Sequence, residues 1–92
     1  MLISDKIVKT FDKSAIRKND AIRVQYAKDR NPKNGFVTQV CEDTIQMMYG
    51  NPQGNSTSFL MIPAVEVAAG LWDIFWTSDF ITINHESGPM NA

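Results

Sequence analysis

The 92-residue chain has almost none of the side chains that form covalent cross-links or hold transition metals. Cys41 is its single cysteine, and His85 is its single histidine. One thiol excludes an intramolecular disulfide, and one thiol with one imidazole is too few for a cysteine-based zinc site. The sequence therefore predicts a fold without disulfides or structural metals, and the lone thiol fits a reducing compartment.

Long hydrophobic runs are also absent. The longest uncharged apolar run is Phe59 to Val65, which Pro63 interrupts, whereas a membrane span needs about 18–20 residues. The first residues lack the basic start and apolar stretch of a secretory signal. We therefore expect a cytoplasmic protein, of a bacterial or phage type, without a membrane-spanning segment.

Positive charge is missing from the second part of the chain. All nine Lys and Arg residues lie within positions 1–33, which carry a net charge of +5, while residues 34–92 carry −6. Such a division can mark a basic face for an acidic partner, including nucleic acid. The alternative, which we favour, is that neighbouring strands bring the two parts together and neutralise them in the fold.

Alternation of apolar and polar residues predicts a set of short strands. In residues 21–26, Ile22, Val24 and Tyr26 alternate with polar neighbours, which places them on one face toward a core. Residues 27–34 and 50–56 are rich in turn-forming residues and predict loops. Similar alternation and β-branched residues predict further strands at 36–41, 44–49, 57–62 and 71–77, with a bent continuation or sixth strand at 80–83.

One short helix is predicted at residues 63–69, because Pro63 suits a first helical position and Gly70 follows the helix end. The first fifteen residues are ambiguous. Ile7, Phe11 and Ala15 recur at helical spacing, but alternate faces across residues 6–11 favour extended structure. We expect an N-terminal arm or extra strand at 1–15, and a disordered polar tail at 84–92.

Three segments carry a resemblance to known small β-barrels. In residues 16–24 (IRKNDAIRV), a basic turn that ends in Asp precedes a strand. In residues 35–40 (GFVTQV), a Gly opens the second strand. In residues 43–47 (DTIQM), an acidic turn leads into the third strand. This order resembles the small barrels of the Src-homology-3, KOW and Sm types. The resemblance implies a mainly β fold, a five- or six-stranded barrel over residues 16–83 with the short helix before its last strand.

The candidate catalytic groups are few, and none is accompanied by a partner in the sequence. His85 lies at the start of the predicted tail, where nothing would hold a general base in place. Cys41 precedes Glu42 and Asp43, and neighbouring carboxylates disfavour a reactive thiolate. The Gly-rich residues 50–54 lack the Gly-Lys-Ser/Thr ending of a phosphate-binding loop. We predict that the protein is not an enzyme and has no cofactor and no catalytic or metal-binding residues.

Nucleic-acid binding is the alternative function, and it rests on basic residues around the first core strand. Clustered cations bind phosphates, and nearby aromatic rings stack on bases. Tyr26 and Phe36 flank the predicted 27–34 loop, although their alternation also suits core positions. The nucleic-acid-binding candidates are Arg17, Lys18, Arg23, Lys28, Arg30 and Lys33.

Protein binding or self-assembly is the favoured function, because the strand at 71–77 is apolar on both faces. A sheet buries one face in its own core, so the second face needs cover from another segment or another chain. Ile7, Val8 and Phe11 could supply that cover within the chain. The protein-interface candidates, each opposite the predicted core face, are Met48, Leu71 and Phe75. We expect a non-catalytic binding module with a protein partner or a homo-oligomer.

Overall fold

The structure is a computed structural model that describes residues 3–5, 9–29, 31–50, 54 and 56–86. It is mainly β, with eight strands and one short helix in these residues. In chain order the elements are β1 (Ile3–Asp5), β2 (Lys9–Phe11), β3 (Ala21–Tyr26), β4 (Lys33–Val40), β5 (Thr44–Gly50), β6 (Thr57–Pro63), α1 (Ala64–Ala68), β7 (Trp72–Thr77) and β8 (Asn84–Glu86).

Six strands form one antiparallel sheet in the order β6-β5-β4-β3-β7-β8. Four successive strands, β3 to β6, pair as a meander, and each is separated from the next by only a few residues of sequence. Helix α1 then carries the chain across, so that β7 pairs with β3 on its other side. Strands β1 and β2 form a separate two-stranded sheet.

The predicted helix is confirmed, and its boundaries follow from local chemistry. Pro63 is extended (φ −76°) and occupies the N-cap position, one residue before the first helical position predicted for it. Its lack of a backbone N–H leaves one unpaired donor fewer at this end of the helix. Gly70 follows with φ +81°, a left-handed conformation that glycine adopts without steric cost. The mainly β class is also confirmed. Within the described residues β6 and β8 remain the two edges of an open sheet, so barrel closure stays a prediction.

The core lies on one face of the six-stranded sheet, which is the inner face. Alternate residues of each strand point there: Ile22 and Val24 in β3 and Ile45 and Met47 in β5 are 3% exposed or less. Ala64 and Val67 of α1 cover the same core. The other fully or nearly buried apolar residues are Phe11, Ile16, Val37, Ile62, Trp72, Ile74 and Trp76.

The turn before β3 explains why the strand begins at residue 21. Asn19 has φ +78°, a conformation that Asn tolerates better than most residues. The Asp20 carboxylate is buried and accepts a hydrogen bond from the Arg17 backbone N–H at 3.0 Å. Backbone bonds between this turn and Val37 then fix β4 beside β3. The predicted Asn-Asp start of the first core strand is confirmed.

Three segments differ from the sequence prediction by more than one residue at a boundary. Strand β4 starts at Lys33 rather than at residue 36, because its first residues pair with β3. Residues 78–82 form a turn rather than continuing β7. The prediction of a disordered tail from 84 was wrong for Asn84–Glu86, which pairs with β7 as β8. Residues 87–92 lie outside the described residues.

The extended prediction for the first residues agrees with β1 and β2, while residues 6–8 lie outside the described part of the chain. Phe11 of β2 is 4% exposed, and its backbone N–H donates to the Glu42 carbonyl at 2.7 Å. The N-terminal strands contact α1, and β2 contacts β5. No described helix is long and apolar enough to cross a membrane.

Candidate functional site

The outer face of the six-stranded sheet carries a continuous row of side chains across five strands. Strand register places Thr77, Ala21, Phe36, Met48 and Phe59 directly opposite one another in turn, on β7, β3, β4, β5 and β6. Directly paired residues have Cβ atoms about 4.5–5.5 Å apart. The row is therefore contiguous, although its members are up to 56 positions apart in the sequence. It is exposed from Phe36 to Phe59, whereas Thr77 is buried.

Large apolar side chains on this face remain exposed. Phe36 is 48% exposed, and Phe59 is 60% exposed. Met61 lies two positions after Phe59 on the same strand and is 50% exposed. Scattered apolar residues are common on protein surfaces, but a contiguous group of this size marks an interaction surface. We define the outer-face patch as Phe36, Met48, Phe59, Met61 and Phe75.

A groove of about 340 Å³ opens beside the row, where β3, β4 and β7 meet the end of the 78–82 turn. Its walls are mostly apolar, and the polar residues of its lining are Arg23, Asn34 and Thr77. Apolar walls with a few polar groups are typical of binding sites, and the volume is at the lower end of their range. The groove is lined by Ala21, Ile22, Arg23, Asn34, Gly35, Phe36, Phe75, Trp76, Thr77 and Ile83.

Arg23 is the cation at the centre of this face. It is exposed, it lies opposite Phe75 on one side and Asn34 on the other, and it forms no hydrogen bond or ion pair with another described residue. A guanidinium surrounded by apolar walls favours an anionic group on whatever binds there. The groove can therefore recognise an apolar body that carries one negative charge.

His85 on β8 covers part of Phe75. The two rings stack with centroids 4.0 Å apart and planes 2° apart, and His85 Nε2 lies 2.7 Å from Asp73 Oδ1. Strand pairing holds this arrangement, because His85 is directly opposite Phe75. The imidazole is therefore a structural link between β7 and β8.

The predicted interface residues are divided between the surface and the core. Met48 and Phe75 lie on the outer face, each 36% exposed. Leu71 is only partly exposed and packs against the core cluster, just before β7 begins. The structure thus brings Met48 and Phe75 onto one face and places Leu71 elsewhere.

Sequence reasoning missed Phe36, Phe59 and Met61 as surface residues. The alternation of residues suggests a core position for Phe36, and its place beside the 27–34 loop suggests base stacking, but it lies opposite Met48 on the outer face and is exposed. Phe59 and Met61 alternate with Leu60 and Ile62 in a strand that is apolar on both faces. The same two-faced pattern that singled out residues 71–77 would have identified them.

The basic candidates lie at both ends of β3 rather than in one cluster. Arg17 and Lys18 precede the strand, Lys28 follows it, and Arg23 lies on the outer face between them. The strand alone separates its ends by about 17 Å. Arg30 lies outside the described residues.

Lys33 is engaged within its own part of the chain. Its Nζ atom lies 3.0 Å from Asp29 Oδ2 and 5.7 Å from the centroid of the Tyr49 ring. The Asn31 backbone N–H and the Lys33 ammonium hold the pKa of Asp29 below its ordinary value of 3.8. Tyr26, proposed for base stacking, is partly buried and packs on Trp72 with ring centroids 4.8 Å apart.

A second, polar groove of about 530 Å³ lies at the start of β3. Three cations line it, Lys13, Arg17 and Lys18, opposite Thr38 and Gln39 of β4. Arg17 and Lys18 are exposed there. This arrangement is the best candidate in the described residues for binding phosphate groups.

The two side chains considered for catalysis lie on different parts of the sheet: Cys41 lies between β4 and β5, and His85 lies on β8. Cys41 is partly buried, and its backbone N–H donates to the Thr44 carbonyl at 2.8 Å. Within the described ranges no three His, Cys, Asp or Glu side chains are grouped to hold a metal ion.

The fold and site define a small, mainly β domain with an apolar outer sheet face. The chain belongs to the family described as Domain of unknown function (DUF5026), whose family model matches residues 2–83. No curated protein and no solved structure matched the chain.

Proposed function

We propose that this protein is a non-catalytic binding module that acts through the outer-face patch, with another protein or a second copy of itself as partner. The observation that carries the proposal is the row from β7 to β6, in which Phe36, Met48 and Phe59 lie side by side and remain exposed. Aromatic residues and Met are enriched where proteins bind one another.

The side chains of the patch stay at least 36% exposed within the described residues, although His85 covers part of Phe75. Phe11, one of the three side chains considered as cover, is buried in the core cluster instead. The described N-terminal strands contact α1 and β5. Ile7 and Val8 lie outside the described residues. The exposure of the patch within the described residues therefore supports a partner chain as its cover.

The first test is a charge placed in the patch, Phe59→Asp. Phe59 is 60% exposed on the edge strand β6, so the variant should fold, but a buried carboxylate in an apolar interface would weaken association strongly. Sedimentation velocity over a concentration series measures self-association, and affinity capture from cell extract measures partner binding. We expect Phe59→Asp to weaken either self-association or partner binding by at least about tenfold.

Val65→Asp is the matched control, because Val65 is also 60% exposed but lies on α1, away from the patch. It should behave like the wild type. A Phe59→Asp variant with wild-type association and the same captured proteins as the wild type would contradict the proposal.

The finer fold assignment is also a proposal. Strands β3 to β6 form a meander, and the next strand, β7, follows helix α1 and pairs with β3. This topology supports a small barrel of the Src-homology-3 or Sm type. An experimental structure in which β6 approaches the opposite edge of the sheet would agree, and a flat sheet would contradict it. The proposed cytoplasmic location rests on the lone thiol, and cell fractionation tests it.

Nucleic-acid binding is the second candidate function, supported by the groove between Lys13, Arg17 and Lys18. Affinity for labelled single-stranded RNA or DNA should fall steeply as salt rises, because phosphate contacts release counterions. The double variant Arg17→Glu with Lys18→Glu should abolish binding and leave the oligomer unchanged. Lys28→Glu, at the far end of β3, is the control, and equal losses from both changes would contradict a local site.

A further inference from the structure

The 78–82 turn displays the most exposed apolar side chains of the described chain. Ile81 is 84% exposed, and Phe80 is 68% exposed. We call residues 78–82 the apolar turn. Water contact with both side chains is unfavourable, so this turn is a candidate for insertion into another surface.

Hydrogen bonds hold the apolar turn in this shape. Asp79 Oδ1 accepts from the backbone N–H groups of Ile81 and Thr82, each at 2.8 Å, and from Thr77 Oγ1 at 3.1 Å. Thr77 Oγ1 accepts in turn from the Phe80 N–H at 3.0 Å. Phe80 has φ +61°, a costly conformation for a bulky residue, which the surrounding bonds maintain. The turn is therefore preorganised with its apolar side chains outward.

The outer-face groove lies directly beside the apolar turn. Thr77, which precedes the turn, and Ile83, which follows it, both line the groove. The groove has Phe36 and Phe75 on its walls and Arg23 in its lining. A projecting apolar segment and an apolar recess of similar chemistry are thus neighbours on one surface.

Charge is complementary in the same arrangement. Asp79 is exposed beside Phe80 and Ile81, and its pKa is held below its ordinary value of 3.8 chiefly by the Ile81 and Thr82 N–H groups. It is therefore ionised at neutral pH. Arg23 of the groove has no partner among the described residues. The carboxylate of the apolar turn, Asp79, is thus complementary in charge to the guanidinium of the groove, Arg23.

We propose that the groove binds the apolar turn of a second copy of this chain, in a reciprocal twofold dimer in which Phe80 and Ile81 of each copy enter the other's groove near Arg23. This inference rests on the proposed function and names the partner of the same face. Because turn and groove adjoin on one chain, a single twofold axis satisfies both contacts and closes the assembly.

The contact area is sufficient for a dimer. Phe36, Phe75, Phe80, Ile81 and Ile83 each offer on the order of 100 Å² of exposed surface. With Arg23, Asn34 and the turn backbone they approach the roughly 800 Å² per partner of a standard interface. The remainder of the outer-face patch extends the same surface toward β6.

Exchange of charge between turn and groove tests the proposal. In Ile81→Lys, the inserted lysine meets Arg23 of the partner, and in Arg23→Glu, the new carboxylate meets Asp79 of the partner. Each variant alone should raise the dimer dissociation constant at least about tenfold by like-charge repulsion. Mixed together they should form a heterodimer, since the lysine turn then meets the glutamate groove and the other pair is wild type.

Sedimentation velocity and native mass spectrometry, which resolves homodimer from heterodimer, give the readout. The controls carry the same charge changes elsewhere: Val65→Lys on α1 and Lys18→Glu before β3, neither of which should alter dimerisation. Circular dichroism and thermal unfolding check that each variant folds. The double variant Arg23→Glu with Ile81→Lys in one chain should regain the homodimer.

The outcomes separate this inference from the proposed function. A wild-type protein that stays monomeric at millimolar concentration overturns the dimer, and partner capture then decides the proposed function alone. A dimer that Phe59→Asp weakens, but that neither charge variant affects, overturns the turn-in-groove contact and keeps the patch. Weakened single variants without recovery in the mixture also overturn the reciprocal arrangement.

Discussion

Gly35 shows how one residue shapes the sheet. It lies on β4 opposite Tyr49 of β5, where a Cβ atom would overlap the Met48 carbonyl oxygen. No side chain can be accommodated without moving the backbone of β5. The absence of a side chain at Gly35 therefore allows β4 and β5 to pair closely beneath Phe36 and Met48 of the patch.

Gly35→Ala should lower the free energy of unfolding by about 3 kcal/mol, at the upper end of the cost of overpacking. Gly50→Ala is the control, because nothing lies within 4 Å of a Cβ at Gly50. That change should stabilise the strand by about 0.5 kcal/mol, since glycine is entropically unfavourable there. Chemical denaturation of both variants measures the difference, and equal effects would contradict the close approach.

The Asn19-Asp20 turn and His85 show which single-residue features the sequence can and cannot predict. The Asn19-Asp20 turn was predicted, because turn residues act through bonds to their own neighbours. The position of His85 on a strand was not predicted. Its stacking on Phe75 depends on the pairing of β8 with β7, which no local pattern near residue 85 signals.

At the scale of elements, exposed carboxylates stabilise the turns that join strands. Asp12 accepts from the hydroxyl and backbone N–H of Ser14, Asp29 accepts from the Asn31 N–H, and Asp79 accepts from two N–H groups of the apolar turn. These hydrogen bonds hold the pKa of each carboxyl below 3.8. Each turn is thus tied to an ionised side chain.

Acid should therefore destabilise the protein in a defined range. A carboxyl whose pKa is lowered on folding contributes stability that is present above its unfolded pKa and lost as pH falls through the folded value. For these three residues the contribution should be constant from pH 7 to about 5 and decrease below about 4. Thermal unfolding at a series of pH values measures it.

Asp79→Asn is the informative variant for this effect, because the amide oxygen can still accept hydrogen bonds but does not titrate in this range. Its unfolding temperature should depend less on pH than that of the wild type. An identical acid dependence would show that Asp79 does not contribute through its charge.

Most strands and the helix were predictable from the sequence, and the strand that was missed, β8, has a physical reason. Strands β3, β5, β6 and β7 and helix α1 follow from alternation and from Pro63 and Gly70. Strand β8 was missed because its residues are polar and exposed, and it is a strand only through its bonds to β7. The other edge strand, β6, was predictable because its apolar residues carry a local signal that β8 lacks.

At the scale of the whole molecule, the described residues give no single explanation for why all Lys and Arg lie within positions 1–33. Lys33 pairs with Asp29 of the same basic segment, while Lys13, Arg17 and Lys18 line a groove at the opposite end of β3. Neutralisation of the two parts by neighbouring strands stays a prediction. The molecule thus carries two separate surfaces, one basic at the start of β3 and one apolar across the outer sheet face.

The sequence by itself determined the strand periods, the helix and the turn before β3, because each depends on neighbours along the chain. Only the tertiary structure decided which apolar residues are surface residues. Phe36, Met48 and Phe59 meet through strand register, and Thr77 and Ile83 bring the apolar turn beside the groove. These contacts join residues far apart in sequence, and such pairing is set by the whole sheet rather than by any local pattern.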